Sequence, residues 1–164
     1  MLRERYKADS PRTTAGELLL DVLGRAVPEV ADGTVTVPAL AGEAGLHLKI
    51  AVRSRDPDVD AVGACVGLRG SRILQVLKAV GGTLDLVDWH PDPLQFLVNA
   101  LRPCEAGQLE PGPVTVLHDV IYGHDGPEPP ADYLARADRH VRLAAELTGI
   151  TLEVHGPITP RSRS

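Results

Sequence analysis

Gly67-Leu68-Arg69-Gly70 places two glycines three residues apart between two apolar helical segments, Val59–Val66 and Ser71–Val80. Glycines at that spacing let the backbone turn tightly and let another chain approach with no Cβ in the way. The N–H groups opening the second helix then stand beside the positive end of its dipole. A phosphodiester suits that geometry, and Arg69 and Arg72 add positive charge. Glycines three apart also cap helices in many unrelated folds, so the flanking sequence has to carry the argument.

At 164 residues the chain suits one domain or two small ones. It is 43% hydrophobic but only 3% aromatic, so Val, Leu, Ile and Ala must fill the core. No apolar run reaches the length of a membrane span, and Met1–Arg5 lacks a signal-peptide core, so no membrane partner and a cytoplasmic setting are expected. Cys65 and Cys104 lack metal-ligand spacing, and Cys65 falls in the apolar run Val62–Val66, which predicts a buried thiol. The net charge of −5 argues against tight nonspecific binding of nucleic acid. The halves differ, however: residues 1–103 carry 12 Lys/Arg against 13 Asp/Glu, and residues 104–164 carry 5 against 9. A phosphate-binding face is therefore expected in the first half.

Residues 1–12 show no apolar period and read as a flexible arm. Leu18, Leu19, Val22 and Leu23 recur at helical spacing within Ala15–Val27, and Pro28 with Asp32-Gly33 ends that helix. Thr34–Leu40 and Leu46–Arg53 alternate as strands. Asp58 is a candidate cap for the helix before the glycine loop. Ile73, Leu74, Val76 and Leu77 give the next helix its inward face, and Thr83–Trp89 makes a third strand. Pro93–Leu101 is a further helix. Beyond it, Val114–Tyr122 and Ile150–His155 read as strands, Ala131–Leu147 as a helix and Gly123–Pro130 as a loop. The tail 159–164 is expected to be disordered.

The order helix–strand–strand–helix–GxxG–helix–strand, together with Lys49-Ile50-Ala51-Val52-Arg53-Ser54, Asp56-Pro57 and Val62-Gly63-Ala64-Cys65-Val66-Gly67-Leu68-Arg69-Gly70-Ser71-Arg72, resembles the first KH domain of the NusA family of bacterial transcription factors. Val27-Pro28-Glu29-Val30 and Asp92-Pro93 through Asn99-Ala100-Leu101 extend the likeness over roughly 13–103. Val141–Gly149 resembles the helix after the GxxG loop of that family's second KH domain, but the loop positions read Ala135-Arg136-Ala137-Asp138, without either glycine. The resemblance implies an α/β (α+β) protein of tandem prokaryotic-type KH domains, each a small three-stranded sheet packed by helices. The first would span 13–103 with an intact GxxG, and the second, degenerate one 104–158. The family's N-terminal and S1 domains have no room in this sequence, and Gly123–Pro130 stands in place of a strand and a helix of the second unit.

The implied function is contact with single-stranded RNA in transcription elongation, termination or antitermination. Gly67, Leu68, Arg69 and Gly70 would form the phosphate cradle, and Arg72, Lys49 and Arg53 would neutralise phosphate. Binding through one unit should be weak and salt-dependent. RNA polymerase or ribosomal proteins are further candidate partners, facing the acidic second half or the loop with Pro127, Pro129 and Pro130. Neither a metal nor a cofactor is expected. The alternative is a repurposed scaffold in which His118, His124, Asp125 and His140 act in catalysis or ligand binding, since a His beside a carboxylate can move a proton. Trp89, at a strand end, could stack a base or simply be packed.

Overall fold

The computed structural model describes residues 3–6 and 14–162. They divide into two units, one within Ser10–His90 and the other formed by Pro91 onward together with the strand near the N-terminus. The expected boundary after residue 103 therefore moves to residue 90.

The first unit begins with α1 (Thr14–Ala26), in which Leu19 and Leu23 are buried one helical turn apart, followed by Val27. Leu18, expected on that face, is 45% exposed. Pro28 ends α1 but then opens a single further turn, α2 (Pro28–Ala31), because proline suits the first helical position. Asp32 closes that turn, its carboxylate accepting from the Thr34 N–H at 2.8 Å. β2 (Val35–Glu43) and β3 (His47–Ser54) pair antiparallel, with a register shift between Thr36 and Ala39 around Pro38, which has no N–H to give the ladder. β4 (Thr83–Asp88) then pairs parallel to β3, giving the order β2-β3-β4. A parallel neighbour needs a crossover, and α3 (Ala61–Val66), a 3₁₀ turn at Leu68–Gly70 and α4 (Ser71–Val80) supply it. Leu48, Ile50 and Val52 of the central strand meet Leu19, Leu23, Cys65, Val76 and Val80 from the helices in one core.

The second unit repeats this order with changes. α5 (Pro93–Leu101) leads it, with Asp92 accepting the Leu94 N–H and Phe96, Leu97, Ala100 and Leu101 buried. β5 (Cys104–Glu110) and β6 (Thr115–Tyr122) are antiparallel, and β6 pairs parallel with β7 (Leu152–His155). The sequence did not suggest β5, whose Glu105, Gly107, Gln108 and Glu110 break any apolar alternation. Only the helix of the expected unit is thus replaced by the Pro/Gly loop; both strands are present. The crossover to β7 is α6 (Tyr133–Thr148), which buries Ala137, Val141, Ala144 and Ala145.

Two expectations at the termini are corrected. Arg3–Tyr6 forms β1, antiparallel to β7, where a flexible arm was expected; residues 7–12 lie outside the described set. Thr159–Pro160 forms β8 alongside the end of β6, Arg161 N–H donates to Tyr122 O, and the Arg161 guanidinium pairs with Glu105. Edge hydrogen bonding available only in the folded sheet orders these polar segments.

Candidate nucleic-acid interface

The Gly67–Gly70 loop has the geometry that its sequence demands. Gly67 sits at φ 74°, Arg69 at φ 53° and Gly70 at φ 74°, so three of its four residues use left-handed backbone. Gly67 N–H closes α3 on Gly63 O, and Gly70 N–H returns to Gly67 O at 3.2 Å. Successive N–H groups in a left-handed turn of this kind make a concavity suited to an anion. The Leu68 side chain is 84% exposed and Arg69 is exposed, so nothing of the loop's own folds over that concavity. Leu74, one turn into α4, is 53% exposed instead of facing inward, which leaves apolar surface beside the loop.

The expected cations fare differently. Arg72 is already engaged: its Nη1 donates to Glu29 Oε2 at 2.9 Å and to Ala64 O at 2.8 Å, clamping α2 and the end of α3 to α4. It braces the loop from behind. Lys49 is fully buried, because β3 is the central strand and is covered on both faces; its Nζ lies 3.4 Å from Asp85 Oδ2, directly opposite it in the parallel register. His47 Nε2 lies 2.6 Å from the same oxygen. Lys49 is therefore not available to phosphate, although the resemblance implied that it would neutralise one. Arg53 is exposed and lies over the Trp89 ring, 4.2 Å from its centroid. Asp58 does not cap α3; its N–H is held by Asp56, and Asp60 precedes the helix. Cys65 is a free, buried thiol, which loss of hydration, chiefly, pushes up to about 11.

In the second unit the eroded loop has disappeared as a loop. Ala135-Arg136-Ala137-Asp138 is continuous helix within α6, with Ala137 fully buried. The histidines of that unit stand at separate places along it. His118 Nε2 lies 3.2 Å from Glu110 and its ring meets His155 edge-on at 5.3 Å, while His155 pairs with Glu153 at 2.6 Å. His124 lies 3.1 Å from Gly126 O through Nδ1 and 3.1 Å from Arg161 O through Nε2, tying the loop to the tail. Asp125 is exposed beside it, and His140 is buried with its ring 6.5 Å from that of Tyr122.

Comparison with known proteins agrees with this geometry. A family model of the NusA-like first KH domain matches residues 13–89. Over 134 residues the chain is 37% identical to the transcription termination/antitermination protein NusA of Thermus thermophilus, covering 81% of this chain and 34% of that protein. NusA of Bacillus subtilis is 36% identical over 137 residues, covering 78% of this chain and 34% of its own length. NusA of Mycobacterium tuberculosis is 36% identical over 135 residues, with 82% and 38% covered. The chain spans about a third of the length of these curated relatives. The crystal structure of APE1850 shares the fold at TM-score 0.50 and 15% identity, covering 87% of this chain and 95% of that one. No helix among the described residues is long and apolar enough to cross a membrane.

Proposed function

This chain is a NusA-like KH-domain protein, and from that premise we propose that it binds single-stranded RNA through the Gly67–Gly70 cradle as part of bacterial transcription termination or antitermination. The observation that carries the reading is the left-handed loop itself, with Gly67, Arg69 and Gly70 at positive φ and the Leu68 and Arg69 side chains exposed. Such a nest takes a phosphate oxygen, and Leu68 and Leu74 offer apolar surface for the attached bases. Of the four expected cations, Arg69 and Arg53 keep exposed side chains, so few phosphates are neutralised and binding should weaken steeply with salt. The second unit, whose loop positions are helical, has no cradle to add.

The test is titration of short single-stranded RNA at two salt concentrations against wild type and Leu68→Asp/Arg69→Asp. Both positions are exposed and Asp tolerates left-handed backbone, so the variant keeps the fold while setting carboxylates beside the phosphate. Wild type should bind, and the variant should lose about tenfold or more. Equal affinity for both proteins would remove the cradle from the mechanism.

A further inference from the structure

Arg53 and Trp89 lie one residue beyond a matched pair at the carboxyl ends of the two parallel strands. Val52 of β3 is in register with Asp88 of β4, and the Trp89 N–H donates to Val52 O at 3.0 Å. That pairing brings the next side chains of the two strands together, and the guanidinium carbon of Arg53 sits 4.2 Å above the Trp89 ring. Arg53 is exposed, and among the described residues no carboxylate pairs with it. An exposed arginine with no anion ordinarily samples many rotamers; here the indole holds it with one face covered. Its other face is a delocalised planar cation, a surface on which unstacked bases lie in RNA complexes.

We propose that the Arg53–Trp89 stack is a seat for one unpaired nucleobase, which lies on the outer face of the guanidinium to form a base–arginine–indole column. This rests on the RNA-binding reading above and adds a base site to it. It also changes the role of Arg53 from phosphate neutralisation to stacking. A phosphate contact needs only a positive charge that reaches, whereas a seat needs the guanidinium plane, so lysine separates the two. Trp89 is the single tryptophan of the chain, and its emission reports directly on the column.

The experiment follows Trp89 fluorescence while oligo(A) and oligo(U) octamers, and an abasic ribose-phosphate octamer of equal charge, are added to wild type, Arg53→Lys and Arg53→Ala. Urea midpoints of the three proteins check that the exposed substitutions leave the fold intact. Base-bearing octamers should change the emission where the abasic one does not. Both Arg53→Lys and Arg53→Ala should bind them about tenfold more weakly, although lysine keeps the charge. Wild-type affinity in Arg53→Lys, or unchanged Trp89 emission on binding, overturns the seat. If binding is lost in Leu68→Asp/Arg69→Asp but untouched by Arg53→Lys, the cradle stands and the seat falls. If wild type binds none of the octamers, both fall.

Discussion

Gly67 and Arg72 interlock: a Cβ built on Gly67 would stand 2.6 Å from Arg72 Cγ and 2.9 Å from its Cβ and Cδ. The first glycine of the cradle is thus a packing requirement in its own right, since the Arg72 stem occupies the space on its way to Glu29 and Ala64. Gly70 differs, with only Ile73 Cγ2 near, at 3.8 Å. The two glycines therefore divide the work between holding the loop and shaping it.

From this contrast, Gly67→Ala should cost about 3 kcal/mol or more, because a left-handed φ and a steric clash combine. Gly70→Ala meets only the backbone term and should cost about 1 kcal/mol. Urea denaturation of the two variants measures the order, and equal losses would show that the Arg72 stem yields.

Gly82 should be less replaceable still. A Cβ there would lie 2.5 Å from Leu46 O and 2.7 Å from Gly45 C, which are main-chain atoms unable to swing aside. The adjacent Thr83 N–H donates to Leu46 O, so yielding would also break the start of the β3–β4 ladder. Gly82→Ala is expected to lower stability by more than about 3 kcal/mol, and the protein should be recovered largely unfolded or insoluble.

Asp85 holds two groups at once, with one carboxylate oxygen 2.6 Å from His47 Nε2 and 3.4 Å from Lys49 Nζ. Asp85→Asn removes the negative charge facing a fully buried ammonium and should cost about 3 kcal/mol. Replacing the ammonium as well, in Asp85→Asn/Lys49→Met, should restore much of that loss. Thermal midpoints of the single and double variants decide it.

Cys65 predicts an alkaline weakness. Its thiol is held up to about 11 in the folded protein against 9.0 for an ordinary cysteine, mainly because burial penalises the thiolate. Below pH 9 the thiol is neutral in both states and contributes no pH dependence. Between pH 9 and 11 the unfolded chain gives up this proton and the folded one does not, so stability falls as pH rises. At pH 10 the loss should be about 1 kcal/mol, and it should be absent in Cys65→Ala measured the same way. A pH-independent difference between the two proteins would contradict the assignment.

Much of the first unit was legible because local signals and packing agree there. The GxxG glycines, the crossover helices and the existence of β2 and β3 each follow from φ preference or apolar period, though not the burial of β3 on both faces. The second unit was less so. Glu105, Gln108 and Glu110 hide β5, since its stability comes from pairing with β6 rather than from an apolar face. The same holds for β1 and β8, whose polar residues gain order only from the edges they join. Ala135–Asp138 aligned with a loop by resemblance, but the helix read over Ala131–Leu147 already spanned these positions, since alanine and arginine are good helix formers and nothing there requires a turn.

Composition and spacing alone determined that Gly67–Gly70 turns between two helices and could present N–H groups to a phosphate, because left-handed backbone is a property of individual residues. Where each expected cation comes to lie was decided only by the tertiary structure. Lys49 lies on the central strand and is buried with Asp85, Arg72 is drawn back to Glu29, and Arg53 is laid on Trp89 by the parallel register of β3 and β4. A charge far apart in sequence from its partner has no local signature; burial and register assign it once the sheet has formed.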